Sequence, residues 1–413
     1  ALDVRQQMAS RRGLLQRLAA VSGAAGLAGC SGLLGRERTA PVADLQPNPL
    51  AEELPERQHA WDDTLPTDAD GNHLAPRHYR VLLLDLAEDP TEEAAATIER
   101  AMRTTESAYD YGPDGLLHML AWGTTYFDRI GSLDSSPIRR PKVISRTDKP
   151  DLQSFDAALV LATNVPSHLP AVDGAMFGTR STLNGVSVDD KLGEVFSVAG
   201  RKTGFLGDGL PAEHTTAEGA PPDVPGDAPM FTGFFSGRAR TQAGEDRVAI
   251  SDGPYAGGTT MHLSHLTESL DAWWNMAGED RVRRMFSSEF SPEDVAELGQ
   301  SMPFADAVRE HAKDGVVGHW EKVRRAREDG EPLLLRRDFN TTDGRQAGVH
   351  FLSLQRRPED FVKTRDAMNG WWLREEHPDL KDRANNGILE FITVVSRANF
   401  YVPPRSERVF PDG

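Results

Sequence analysis

The chain has 413 residues, enough for one large or two medium domains with a buried core. Its 46 basic residues face 63 acidic ones, a net charge of −17 spread along the sequence without an acidic tail, which argues against nucleic acid as a partner. There is a single cysteine, and if Cys30 is lipidated no disulfide, thiolate metal site or cysteine nucleophile remains. Dispersed acidity suits a surface kept soluble at high salt; a halophilic source is the preferred reading, with plain acidic solubility as the alternative.

Residues 1–30 read as a twin-arginine signal peptide. Arg11 and Arg12 precede a weakly apolar stretch, Leu14 to Gly29, that is interrupted by Gln16, Arg17 and Ser22 and falls short of the roughly 20 apolar residues of a membrane span. It ends in Leu27-Ala28-Gly29-Cys30, which resembles a lipobox, so Cys30 is the expected lipidation site. An ordinary helix with an incidental cysteine is the competing reading. The expected location is extracytoplasmic, at the cell surface, with membrane contact only through that lipid. Residues 31–76, polar and dotted with proline, read as a flexible tether.

The globule opens with a strand at Tyr79 to Ala87 and a helix at Thr91 to Tyr109, where Ile98, Met102 and Thr105 recur at helical spacing. Strands follow at Gly115 to Gly123 and Ala157 to Asn164, separated by a helical "TTYFDRIG". A similar order returns later: a strand at Gly257 to Leu266, a helix at "TESLDAWWNM", a strand at Ala347 to Gln355, a helix at "PEDFVKTRDAMNGWWL" and a closing "ILEFITVVSRANFYVPP". The repeat lies in element order and predicts an α+β fold of tandem ferredoxin-like halves, 77–206 and 257–410. A Gly- and Pro-rich connection spans 207–256, and the second half carries an insertion at 277–346; irregular segments of this length usually carry function.

Twelve histidines are present, yet no HExxH, GxSxG elbow, P-loop or dinucleotide glycine fingerprint accompanies them. His262 and His265, three apart on a strand, face opposite sides. Five separate pieces carry more information: "AWGTTYFDRIG", "FDAALVLATN", "GFLGDG" (Gly204 to Gly209), "DGPYAGGT" and "ANFYVPP". In their order and spacing they resemble the dye-decolorising (Dyp-type) haem peroxidase family over Arg77 to Arg405, and "VVGHWEKVRRARE" with "LLLRRDFN" resembles the segment that holds its iron ligand.

That resemblance implies haem b (iron protoporphyrin IX) as cofactor and a peroxidase that reduces hydrogen peroxide while oxidising an organic reductant. It makes His319 the axial iron ligand, Arg336 the distal arginine whose charge cannot be lost, Asp208 the proton-shuttling carboxylate and Gly209 a cofactor contact. Arg337 is adjacent, so the choice between the two arginines stays open, as do plain surface or turn roles for all three side chains. The family motif sets its glycine three residues before the aspartate, whereas Gly204 lies four before Asp208; the longer loop either bulges and still aims Asp208 at the haem, or displaces it. Asp338 replaces a residue often neutral in the family. Trp273, Trp274, Trp320, Trp371, Trp372, Tyr255 and Tyr401 offer electron relays, with core packing as the alternative. The competing function is a haem- or ligand-binding surface lipoprotein without turnover. Self-association into a homo-oligomer stays open.

Overall fold

The computed structural model describes residues 54–220, 224–237, 241–298, 316–376 and 387–412. The arginine pair, the apolar stretch and Cys30 lie outside the described residues. In the first half, β1 (His78–Leu86) is followed by the helix Glu92–Ala108, β2 (Leu117–Gly123), the helix Thr124–Arg129, a two-residue β3 (Asp151–Leu152) and β4 (Ala157–Thr163). The helix His168–Met176, a small hairpin of β5 (Thr182–Leu183) and β6 (Val186–Ser187), and β7 (Phe196–Phe205) complete it. The second half contains β8 (Thr259–Glu268), short helices at Leu270–Trp274, Gly278–Met285 and His319–Val323, β9 (Leu335–Arg336), β10 (Phe339–Thr341), β11 (Gly348–Gln355), the helix Pro358–Asn369 and β12 (Ile392–Val402).

The antiparallel order is β7-β1-β4-β2 in one half and β12-β8-β11-β10 in the other, the same arrangement twice. Each half meets the next through a short seam, β2 against β12 and β10 against β7, so the eight strands close into a barrel. The expected tandem ferredoxin-like α+β fold is therefore the fold the chain forms. Closure leaves neither half with a bare edge along the ring.

Period-two alternation sorts the side chains. Val81, Leu83, Met119, Ala121, Val160, Leu352, Phe400 and Val402 fill the barrel interior. On the outer face of the first half, Leu82, Leu84, Leu120, Trp122, Leu159 and Leu161 pack against Ile98, Ala101 and Met102 of one helix and Leu169, Val172 and Met176 of another. The first of these helices starts where Thr91 accepts from the Ala94 N–H, with Glu92 and Glu93 on its positive end.

The seams explain several glycines. A Cβ on Gly204 would lie 1.9 Å from the Asn340 carbonyl oxygen across the β7–β10 seam. One on Gly258 would lie 2.4 Å from the Tyr401 ring, where "DGPYAGGT" packs on "ANFYVPP". At the β2–β12 seam only two residue pairs are in register, and the Gln58 side chain bridges the rest: it accepts from the Leu120 N–H and donates to the Leu120 and Pro403 carbonyls. The tether expectation is thereby corrected for the end of its range. Trp61 is fully buried and Gln58 fills a seam, because the closed barrel leaves backbone groups that this segment satisfies.

Candidate active site

The outer face of the second half is not filled like that of the first. Between β8, β11 and β12 and the helices around it lies a cavity with about 1630 Å³ free of protein atoms, its open mouth included. Phe234, Met285, Phe286, Trp320, Phe351 and Ile392 give it apolar walls, while Glu268, His319, Arg336, Asp338, Arg365 and Arg397 supply charge and proton chemistry.

His319 is the first residue of its helix. The turn before it runs against the end of the helix Gly278–Met285 so closely that a Cβ on Gly318 would sit 1.9 Å from the Phe286 carbonyl oxygen. Glu321 reaches back to accept from the Gly318 N–H at 2.8 Å, which fixes the helix start. The Nδ1 of His319 is buried and has no hydrogen-bond partner among the described residues. Burial first, then the charges of Lys322, Arg336 and Arg365, push its pKa down to about 3, so the imidazole is neutral at ordinary pH.

Arg336 and Arg337 alternate across their strand. Arg336 faces the cavity, with Nη2 donating to Thr241 Oγ1 at 2.8 Å and a buried Nε left without a partner. Arg337 points the other way, bonded to Asp62 at 3.0 Å and Glu245 at 2.9 Å, with its guanidinium over the Trp61 ring. The choice left open between the two therefore falls on Arg336 as the cavity arginine.

Two carboxylates share this space. Asp338 accepts from Ser236 Oγ at 3.1 Å, and burial raises its pKa against the opposing charge of Arg336. Glu268, 6 % exposed at the end of β8, has an unpartnered Oε2; burial, helped by Asp338, pushes its pKa up to about 7. A cation that keeps its charge thus stands with two acids whose pKa values burial raises, Glu268 to a value near neutrality.

Asp208 and Gly209 are corrections. Asp208 is exposed and, like Gly209, does not line the cavity. Gly207 at φ +120° and Gly209 at φ +83° turn the loop outward, and it is stitched to the β1 side, with the Leu206 N–H on the Arg77 carbonyl and the Gly207 N–H on the Pro229 carbonyl. The loop holds Asp208 away from this cavity, and Gly204 serves the seam. Glu268, Arg365 and Arg397 escaped the sequence reading. An acid in phase with Ser264 and Leu266 on β8 was a usable signal for Glu268, whereas Arg397 depends on a register shift between Val394 and Ser396 that no sequence pattern marks. Of the expected relay residues, Trp320 lines the cavity, while Tyr255 and Tyr401 belong to the first-half core. His262 stacks on Phe361 outside the barrel and His265 meets His350 within it, on opposite faces as read.

Among the described residues no cluster of three or more His, Cys, Asp or Glu could hold a bare metal ion, and no helix is long and apolar enough to cross a membrane. The barrel and its outer cavity define a Dyp-type peroxidase fold. A candidate dyp-type peroxidase protein from Shewanella oneidensis superposes with a TM-score of 0.53 at 16% identity, covering 82% of this chain and 96% of that one. A dye-decolorizing protein from V. cholerae gives 0.51 at 14% identity, covering 84% and 98%. A DypB variant from Rhodococcus jostii RHA1, in complex with heme, gives 0.50 at 14% identity, covering 85% and 97%. By sequence the chain belongs to a family of unknown function, DUF7405, matched over residues 76–404. No curated protein matches it.

Proposed function

We propose that this protein is a haem-dependent peroxidase that acts outside the cytoplasm, reducing hydrogen peroxide to water and oxidising an organic reductant. The observation that carries the reading is the convergence of a neutral imidazole with an uncommitted Nδ1, an arginine and two buried carboxylates on one apolar-walled cavity of a Dyp-type barrel. Haem needs one protein ligand, and His319 fits, since its ring is neutral and its Nδ1 is not committed elsewhere. The chemistry haem would supply when bound is the redox-active iron that passes two electrons from reductant to peroxide.

The chain's own residues handle protons and charge. Asp338 or Glu268 takes the proton from one peroxide oxygen and returns it to the other, which leaves as water; Arg336 offsets the negative charge that develops as the oxygen–oxygen bond breaks. With two protons and two electrons from the reductant, one peroxide yields two waters and one oxidised product. Burial keeps Glu268 partly protonated near neutral pH and shifts Asp338 in the same direction, which suits a group that must both accept and give.

The test is peroxide-driven oxidation of a dye by haem-loaded protein. Arg336→Leu should lower kcat by about 10²–10³-fold while the haem band persists, and Asp208→Asn should leave turnover unchanged. A haem-loaded wild type that oxidises nothing with peroxide would overturn the proposal. It would leave the second reading, a haem- or ligand-binding surface lipoprotein, which the outward turn of Asp208 favours.

A further inference from the structure

Five arginines line the cavity, and two of them, Arg365 and Arg397, share one carboxylate. Arg365 and Arg397 both donate to Oδ2 of Asp148, at 3.1 and 2.9 Å, so one carboxylate serves two guanidinium groups. Arg365, Arg397 and Asp148 are all buried, Arg397 most completely at 1 % exposure; Asp366 also acts on Arg365, whereas Arg397 has the shared Asp148 as its opposing charge. Nε and Nη1 of Arg397 are buried without a hydrogen-bond partner among the described residues. Neither Asp338, bonded to Ser236, nor Glu268, with its open Oε2, reaches it.

The placement is built into the fold. The register shift between Val394 and Ser396 on β12 brings Arg397, paired with Ser264 on β8, onto the cavity face, where regular alternation from Val394 would have brought Ser396. Its guanidinium lies over the Phe361 ring, which holds it in place on one side. A buried guanidinium with unmade hydrogen bonds and a shared opposing charge is costly, and a carboxylate relieves both costs at once through charge-assisted bonds. Phe351, Phe361 and Met368 also line the cavity, so a ligand seated at the arginines would meet apolar surface with the rest of its body.

We infer that Arg397 and Arg365 form a carboxylate-binding site in the cavity wall, taking an organic ligand with an apolar body. The carboxylate comes from one of two sources: a free organic acid or, on the reading of the preceding section, the propionates of haem itself.

The experiment uses the full chain, without haem and loaded with it, in the wild type, Arg397→Gln and Arg397→Lys, each first shown to be folded by circular dichroism. Calorimetry with benzoate and with uncharged benzamide reads the site directly, and absorbance titrations with haem and haem dimethyl ester read the cofactor's own carboxylates. Arg397→Gln should weaken benzoate or haem by about 30-fold or more, Arg397→Lys by less, and neither should change affinity for benzamide or the ester. Arg397-dependent benzoate binding that survives haem loading assigns the site to a separate acid; Arg397-dependent discrimination of haem from its ester, with benzoate excluded, assigns it to the cofactor. Benzoate binding through Arg397 in a protein that takes up no haem would uphold the site and remove the haem reading. If benzoate and haem both bind a folded Arg397→Gln as they bind the wild type, or neither binds the wild type, the inference is overturned.

Discussion

On the first half of the barrel, Leu82, Leu84, Leu120, Trp122, Leu159 and Leu161 meet two helices that close over them; on the matching face of the second half, Ser264, Leu266, Glu268, Phe351 and Arg397 look into a cavity. Strand order is the same in both, so the backbone does not decide which half carries chemistry. The difference lies in what the connections do. In the first half the helices lie directly on the sheet. In the second, the short helices of the insertion and the loop through Phe234 and Ser236 stand off it, and the strands beneath have exchanged apolar side chains for charged ones. One half is a packed support and the other a site, a division that lets polar side chains be buried without weakening the main core.

Stability measurements can break this comparison. Trp122, fully buried against Tyr126, Phe196 and Phe410, should cost about 3–5 kcal/mol when changed to alanine, read by urea unfolding. Leu266→Ala, at the cavity wall, should cost less than about 1.5 kcal/mol, because one side of that residue already faces open space. Equal costs would mean that the second half is as tightly filled as the first.

The buried acids sharpen the comparison through pH. The folded pKa of Glu268 stands near 7 against an ordinary value of 4.5, so the native state holds its proton more tightly than the unfolded chain. Its contribution is complete below pH 4.5 and is lost as pH rises toward 7 and above, a decline of up to about 3 kcal/mol. Glu268→Gln should flatten that slope, leaving the trend of the same sign from Asp338. A stability profile between pH 5 and pH 8 that Glu268→Gln does not alter would contradict the burial argument. A further effect concerns the joint between the halves. Gly204→Ala should destabilise by about 1–3 kcal/mol, through the clash with the Asn340 carbonyl, whereas Gly244→Ala, whose added Cβ meets nothing within 4 Å, should stay within about 0.5 kcal/mol of the wild type in the same unfolding assay.

Much of the fold was legible because the central strands announce themselves. β1, β2 and β4 are nearly continuous apolar runs buried on both faces, and their order predicts the halves. β7 was passed over because its middle is polar and half-exposed, and only its last residues enter the core. The motifs that carried the family resemblance mark close packing of the barrel, which explains why they identified the barrel better than the site: Gly123, Gly204 and Gly258 each stand where a strand or ring passes too close for a side chain. His319 and Arg336 were proposed from the family resemblance of one continuous segment, and both line the cavity. Asp208 was misplaced because its direction depends on how its loop is tied to Arg77 and Pro229, and Arg397 was missed because a one-residue shift in register selects its face. Long-range register is the information that local sequence does not display.

The most direct test of the account is the absorbance spectrum of the full protein purified with haem available, for the wild type and for His319→Ala. The account predicts an intense haem band in the wild type that is lost or displaced in the variant, with the fold intact by circular dichroism. A band that is the same in both, or absent from both, would contradict a His319-ligated haem in the second-half cavity.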